Sequence, residues 1–175
     1  MTRIAILLAF AIGLTAPSAA AEPAAGVATL QRAAIMVKNR PATVKFYREV
    51  LGYTEEPTST DIRLPTDHPL GMPPDAVLSM TYMKSLDGAF VAVMGVDSKE
   101  MGTVTRPTGN ANAYNDVMLV HVVTGIEAIH ARAVAGGYTV LSPPILSRSG
   151  RAKQMFLRDP NGIKIELNEM IEPKK

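Results

Sequence analysis

The chain has 175 residues, no cysteine and a formal net charge of +2. Without cysteine it has no disulfide bonds, so it depends on a hydrophobic core, and 47% of its residues are hydrophobic. Lysine and arginine are scattered, with no basic stripe between aromatic residues, which argues against nucleic acid as a partner.

The first 21 residues have the layout of a secretory signal peptide. A basic start at Arg3 precedes an apolar run over residues 4–15 and three alanines at 19–21. The run is too short to span a membrane comfortably, which favours a cleavable signal over an uncleaved membrane anchor, the alternative interpretation. We therefore predict a periplasmic or secreted protein that is cleaved after Ala21 and has no membrane partner afterwards.

The rest of the chain is long enough for one ordinary domain or two fused modules. Its middle is rich in glycine, asparagine, proline and threonine, which is typical of a connection between modules. We predict a leader at 22–29 and a domain at 30–170, made of module one at 30–96, a linker at 97–115 and module two at 116–170, with a tail at 171–175.

Module one is predicted to begin with a strand and a helix. The apolar run over residues 30–37 is typical of a buried strand. Asn39 can cap the following helix, Pro41 suits its first turn, and Gly52 ends it. Further strands are predicted at 53–63, 77–84 and 89–96, and the last two form a hairpin.

Module two repeats this order. A strand is predicted at residues 116–123, and Thr124-Gly125-Ile126-Glu127 matches the capping-box pattern at the start of a helix. That helix is predicted to run to about Ala135 and to stop at the glycine pair that follows. Short strands are predicted at 138–141, 153–157 and 163–168.

Two short segments of module one recur in module two. Leu51-Gly52-Tyr53-Thr54 returns as Ala135-Gly136-Gly137-Tyr138-Thr139, in both cases after a helix, and the turns at 85–88 and 159–162 each precede an apolar strand. These echoes predict a duplicated strand-helix-strand-strand-strand unit and an α+β fold.

Two longer segments resemble a known family. Phe46-Tyr47-Arg48-Glu49-Val50-Leu51-Gly52 and the stretch from Arg158 to Leu167, RDPNGIKIEL, are similar to the hallmark segments of the vicinal-oxygen-chelate superfamily. That superfamily includes glyoxalase I, bleomycin- and fosfomycin-resistance proteins, extradiol dioxygenases and methylmalonyl-CoA epimerase. The resemblance spans residues 30–169. It implies two βαβββ modules whose sheets form a half-open barrel around a ligand cavity, and a possible homodimer, but not one reaction.

The same resemblance identifies four positions that would carry the ligands of a bound metal ion. Metal-using members supply one ligand from the first and one from the last strand of each module, and strand alternation places Arg32, Ala92, Met118 and Glu166 there. Only Glu166 is an ordinary ligand for a divalent ion, and a guanidinium would repel one. We therefore predict no metal cofactor; a divalent metal is the alternative if a strand register is shifted.

Arg32 and Glu166 are predicted to form an ion pair where the metal would otherwise lie, because two opposed charges are tolerated better than one. In the functional version Arg32 captures an oxygen of the ligand and Glu166 acts as a general base. The alternative is a structural bridge without chemistry. The other predicted ligand-binding residues are Met36, Phe90, Ala92, Met94, Met118 and Lys164.

Two histidines are predicted to lie in the core rather than in the cavity. His121 falls on the helix-facing side of its strand, and His130 lies among apolar residues of the second helix, so the two are expected to meet as a buried pair. His68 lies in a loop and is expected to be exposed.

These observations predict a protein that binds a small, partly apolar molecule with an anionic or carbonyl oxygen. One hypothesis is a metal-independent lyase or isomerase that uses Glu166 for proton transfer and Arg32 for oxyanion stabilisation. The second is a binding or sequestering protein of the resistance type. The third is a metal-dependent lyase or dioxygenase.

Overall fold

The computed structural model describes residues 30–171, which fold into two modules joined by a linker. Module one contains β1 (Ala33–Val37), α1 (Arg40–Glu49), β2 (Thr54–Glu55), β3 (Ser59–Ile62), β4 (Val77–Lys84) and β5 (Phe90–Asp97). Module two contains β6 (Met118–Val122), α2 (Ile126–Ala135), β7 (Val140–Leu146), β8 (Ala152–Arg158) and β9 (Lys164–Met170).

The predicted signal peptide and leader, and residues 172–175 of the tail, lie outside the described residues. Between residues 30 and 171 no helix has both the length and the apolar character needed to cross a membrane.

Each module forms its own mixed sheet. The first has the strand order β1-β5-β4-β2 with β3 also paired to β4, and the second has the order β6-β9-β8-β7. In both, the first strand pairs in parallel with the last, and the remaining neighbours are antiparallel. The expected α+β fold of two modules is therefore confirmed, and the sheets stay open rather than closing into a barrel. Module two is a βαβββ unit, whereas module one has one strand more, because the strand predicted at 53–63 is divided into β2 and β3.

Helix α1 begins and ends as its sequence predicts. Asn39 is the N-cap, and its Oδ1 accepts a hydrogen bond of 3.1 Å from the backbone N–H of Ala42. Pro41 lies in the first turn, where its missing N–H costs nothing. Gly52 follows the helix with a φ of +76°, a left-handed conformation that glycine adopts without strain.

Helix α2 is not capped by the predicted capping box. Its N-cap is Gly125, in the left-handed conformation, and no side chain within the helix start provides a cap. The acceptor is the Glu169 carboxylate on β9, whose Oε1 receives the backbone N–H groups of Gly125 and Ile126. A carboxylate here also complements the positive end of the helix dipole. The prediction for Thr124 and Glu127 was wrong because a positive φ at Gly125 turns the chain away from capping-box geometry.

A single hydrophobic core joins the two modules. Phe46 of α1 meets the ring of Tyr138 edge-on at 5.0 Å, so one module packs on the other through aromatic contact. Arg132 of α2 donates two hydrogen bonds, of 3.0 and 2.8 Å, to the backbone carbonyl of Val50 at the end of α1. A cation at a helix C-terminus satisfies an otherwise unpaired carbonyl.

His121 lies in this core but does not pair with His130. Its Nδ1 is 2.6 Å from the hydroxyl of Tyr53 in the other module, and its Nε2 is buried without a partner among residues 30–171. The predicted His121–His130 pair was wrong because the hydroxyl of Tyr53, just after α1, occupies Nδ1 of His121 instead. Burial lowers the pKa of His121, and burial with the nearby Asp87 charge raises the pKa of Tyr53 to about 12.

Both sheets turn one face to the helices and leave the other open. In β1, Ile35 and Val37 are buried against the helix whereas Met36 is 45% exposed. In β9, Ile165 and Leu167 are fully buried in the shared core. We use the term open face for the side of each sheet opposite its helix.

Part of the open face of module one is covered by loops. A second cluster forms there around Leu78, Met94 and Val96, against side chains from the loop that follows β3. Met94 was predicted to line the cavity, but it is only 7% exposed within this cluster. That prediction was wrong because alternation identifies the face of a residue and not what covers it.

We expect Glu169→Ala to lower the free energy of unfolding by about 1 kcal/mol, since two backbone donors of α2 lose their acceptor. Thr124→Ala, which removes no cap in this structure, should change it by less than about 0.5 kcal/mol. Urea unfolding of both variants is the measurement. Equal losses would instead support the capping box.

We expect stability to fall as the pH drops below about 6.5, the pKa of histidine in an unfolded chain. The folded state holds His121 neutral, so below that pH the unfolded state binds one more proton and is favoured. His121→Asn should flatten the dependence of the unfolding free energy on pH between about pH 7.5 and 5. His68→Asn, in an exposed loop, is the matched control, and an unchanged slope in His121→Asn would contradict the assignment.

Candidate functional site

Two pockets lie on the open faces, one in each module, and they occupy equivalent positions. In each module the last two strands, β4 and β5 or β8 and β9, pair with each other. Their pairing brings an aromatic residue and a cation onto the open face. The cross-strand pairs are Tyr82–Ala92 and Lys84–Phe90 in module one, and Phe156–Glu166 and Arg158–Lys164 in module two.

The module-two pocket is a cavity of about 570 Å³ between the sheet and the linker. Its volume is within the range of about 300–1,000 Å³ that is usual for small-molecule sites. Apolar walls come from Phe156, Met118 and Ile145, and polar groups come from the linker and from β9.

Glu166 lies in this pocket in a fixed orientation. Its Oε1 accepts hydrogen bonds of 2.9 Å from the side-chain amides of Gln154 and Asn168. Gln154 also donates to the Asn168 carbonyl oxygen at 2.9 Å, so the three side chains form one network. Since both donors reach Oε1, the second carboxylate oxygen has no partner among the described residues and is available to a ligand.

Lys164 lies two residues before Glu166 on the same open face. Its side chain is almost fully buried, and Nζ donates to the backbone carbonyl of Asn110 at 3.2 Å and to Oδ1 of Asn112. No carboxylate forms an ion pair with it between residues 30 and 171. An ammonium that is in contact only with neutral oxygens presents its positive charge to the pocket.

Residues 106–116 of the linker form a strap across the end of this pocket. The guanidinium of Arg158 donates to the backbone carbonyls of Gly109 and Ala111 in the strap and of Gly162 in the turn before β9. Arg106 and Asp116, at the two ends of the strap, form an ion pair. The strap is thus fixed to module two by buried cations.

Arg32 lies in the other pocket, the module-one cleft. Its Nη1 donates to the Gln31 side chain at 2.8 Å, and its guanidinium lies over the ring of Tyr82, 5.5 Å from the centroid. Glu166 is bound by amides in the module-two pocket, and the two pockets have no lining residue in common. The predicted Arg32–Glu166 ion pair was therefore wrong: the first strand of one module and the last of the other belong to different sheets.

The other predicted ligand-binding residues are divided among several environments. Met118 and Lys164 line the module-two pocket, and Phe90 lines the module-one cleft. Met36 is exposed on the open face but outside both pockets, and Ala92 is completely buried.

Sequence reasoning missed residues whose role depends on pairing between strands. Phe156 was not considered, although it lies directly opposite Glu166. Asn110 and Asn112 reach the pocket through the strap, and no local sequence pattern indicates their contact with Lys164.

The residues at the family's metal positions do not fit a metal centre. Arg32 lies in one pocket and Glu166 in the other, while Ala92 and Met118 offer no oxygen or nitrogen ligand. Over the range 30–171, no three side chains of histidine, cysteine, aspartate or glutamate come together as a potential ion site.

Comparison with solved structures places this fold among known ones. A glyoxalase family protein from Bacillus cereus aligns with a TM-score of 0.70 and 16% identity, over 86% of this chain and all of its own. A glyoxalase/dioxygenase from Nostoc punctiforme aligns at 0.59 and 18%, over 89% of this chain and all of its own.

A fosfomycin resistance protein from Listeria monocytogenes, in complex with Mn(II) and 1S,2S-dihydroxypropylphosphonic acid, aligns at 0.54 and 16%, over 83% of this chain and 94% of its own. At these identities the likeness is one of fold alone. None of the curated proteins compared with the chain matches it.

The family model of the Glyoxalase/Bleomycin resistance protein/Dioxygenase superfamily matches residues 29–167, which include module one, the whole of the linker and module two as far as Leu167 in β9. The chain therefore belongs to the Glyoxalase/Bleomycin resistance protein/Dioxygenase superfamily.

Proposed function

We propose that this protein, once exported, binds a small, partly apolar molecule with an anionic or carbonyl oxygen in the module-two pocket. The observation that carries the proposal is that Lys164 and Glu166 line the same pocket. They lie on one face of β9, about 7 Å apart along the strand, beside the apolar wall of Phe156. A positive and a negative group on an apolar surface can orient such a molecule at two points.

Lys164 takes the role that the sequence suggested for Arg32. Its ammonium is already desolvated and bonded to two neutral oxygens, so it has one N–H left for a ligand oxygen. An oxyanion at this point would supply the missing negative charge. A charge-assisted hydrogen bond in a buried site is stronger than the same bond in water.

In this proposal Glu166 transfers a proton. Its free carboxylate oxygen can accept a proton from the carbon next to a carbonyl group, and the carbonyl oxygen becomes an enolate held by Lys164. Return of the proton to the other face of the same carbon inverts that centre and gives an epimerase, which is one kind of isomerase. Departure of a leaving group from the next carbon, with the proton, gives a lyase.

A second candidate is a protein that binds and sequesters its ligand without turnover. The strap favours this function because buried side chains fix it across the pocket, as would suit long retention of a ligand. The fosfomycin resistance protein among the structural neighbours gives a precedent for a resistance role in this fold.

We also propose that the protein forms a homodimer. Along β6 the open-face residues Val120 and Val122 are 56% and 75% exposed, and a second copy would cover them. Light scattering of the purified protein in solution measures this directly. A monomer at all accessible concentrations would contradict the proposal.

We expect the wild-type protein to catalyse deuterium incorporation from D₂O next to the carbonyl of at least one 2-oxo acid, followed by NMR. Glu166→Gln should slow this exchange by about 100-fold, because a positioned base contributes at least that factor, with ligand affinity retained. Exchange that persists in Glu166→Gln would contradict the role of Glu166. Binding without exchange in the wild-type protein would favour sequestration.

We expect Lys164→Met to weaken binding of the same 2-oxo acid by about tenfold, because a charge-assisted hydrogen bond is lost. Asn112→Ala is the matched control: it removes a contact of the strap and keeps the ammonium. Equal weakening in both variants, measured by calorimetry, would show that the strap and not the charge determines affinity.

We expect the protein, purified without chelators, to contain less than about a tenth of an equivalent of any transition metal, since the donor set is unsuitable. Elemental analysis by mass spectrometry measures this. A content near one equivalent would overturn the metal-independent mechanism.

A further inference from the structure

We propose that Met118 is an oxidative modification site, at which a peroxide converts the thioether to a sulfoxide that then occupies the ammonium of Lys164. This inference rests on the proposed function, because it concerns how that ammonium becomes unavailable to a ligand. The site is a single side chain in the wall of the module-two pocket.

Met118 is one of the few methionines that an oxidant can reach. It is 45% exposed, and among the methionines of residues 30–171 only Met36 and Met170 are comparably open to solvent. Met83 and Met155, by contrast, are completely buried in the shared core. Because methionine oxidation follows exposure, the first three should react well before the last two.

Met118 also provides the only sulfur among the residues that line this pocket. The chain has no cysteine, so no thiol of its own intercepts the oxidant. Met36 and Met170 are not part of the pocket wall. In the exported location proposed above, the sulfur would also lie outside the thiol-reducing pool of the cytosol. Oxidation at Met118 is therefore the one that changes the pocket directly.

Met118 and Lys164 are direct neighbours in the sheet. They pair in the parallel register between β6 and β9, and both line the pocket. Neighbouring strands are about 4.8 Å apart, and paired side chains lie on the same face. The Met118 side chain is unbranched and flexible, so its sulfur can approach the Lys164 ammonium.

The oxidation balances with a peroxide as the sole co-reactant. The Met118 sulfur attacks one oxygen of hydrogen peroxide, so that an S–O bond forms and the O–O bond breaks. The second oxygen leaves as hydroxide and takes the proton from the oxygen now bound to sulfur, which gives water. The sulfur loses two electrons and the peroxide gains them. The product is a polar sulfoxide in place of an apolar thioether.

The sulfoxide oxygen competes with a ligand for Lys164. Nζ already donates to the backbone carbonyl of Asn110 and to Oδ1 of Asn112, and it has one N–H left. A hydrogen bond from an ammonium to the sulfoxide oxygen is charge-assisted and therefore strong. It takes the N–H that the proposed function assigns to the ligand. Methionine sulfoxide reductase reverses the modification, so the block is reversible.

The modification is tested by treating the protein with hydrogen peroxide and following each methionine by peptide mass spectrometry. Met118 should be oxidised at least about tenfold faster than Met83 or Met155. In protein labelled with ¹⁵N-lysine, the NMR signal of the Lys164 ammonium, identified by its absence from Lys164→Met, should shift on oxidation. It should not shift in Met118→Leu, which keeps the size of the side chain and removes the sulfur.

Ligand binding gives the second readout, with pyruvate, the simplest 2-oxo acid, as the probe in calorimetry. Oxidation should weaken binding to the wild type about tenfold, the loss expected for Lys164→Met, and treatment with the reductase should restore it. The affinity of Met118→Leu, whatever its starting value, should not change on oxidation. Met36→Leu is the matched control and should lose affinity on oxidation as the wild type does.

The inference and the proposed function fail in different ways. If the untreated protein binds no pyruvate while the Lys164 signal shifts on oxidation, ligand capture fails for this probe and the modification site stands. The inference is overturned if Met118 is oxidised no faster than Met83 and Met155, if oxidation leaves the Lys164 signal unchanged, or if oxidised Met118→Leu loses affinity as the wild type does.

Discussion

The shared core between the two modules is the constraint on which the rest of the structure depends. Tyr47, Phe46 and Tyr138 fill the space between helices and sheets, and Arg132 closes the end of α1 by binding the Val50 carbonyl. Because both sheets commit most of their helix-facing sides to this core, Lys164 and Glu166 on β9 are directed to the open face. The two pockets on the open faces are a consequence of that division.

The pockets also show how a duplicated unit diverges. In module two the first strand supplies an apolar residue, Met118, and the last strand a cation, Lys164. In module one the order is reversed, with Arg32 before the first strand and Phe90 on the last. Each of these two cross-strand pairs therefore contains one cation, which lies at the first strand in module one and on the last strand in module two. A carboxylate follows the cation only in module two, so only that module has both groups needed for proton transfer.

Much of the fold could be predicted from the sequence because its signals are local. The cap at Asn39, the hairpin between β4 and β5 and the alternation along β1 each depend on residues within a few positions of one another. The site could be predicted only in part, since Glu166 and Lys164 follow from alternation along one strand. Their partners come from elsewhere in the chain.

The errors have the same physical origin. Glu169 caps α2 from more than forty residues away, and the strap reaches Lys164 over an even longer separation. Arg32 and Glu166 do not meet because they belong to different sheets. The relative position of the two sheets cannot be read from a pattern within either strand. Met94 was placed on the correct face and then covered by a loop.

The attachment of β9 has a consequence for the order in which module two can form. Its first strand, β6, pairs only with β9 in the described sheet, and the first turn of α2 receives its acceptor from Glu169 near the end of the same strand. Neither element can complete its hydrogen bonds before β9 arrives. Because these hydrogen bonds join segments that are far apart in the sequence, the module folds more slowly than its local turns form. Its elements therefore form together, in one cooperative step. During synthesis, module two stays incomplete until its last strand has left the ribosome, whereas module one already has all of its strands.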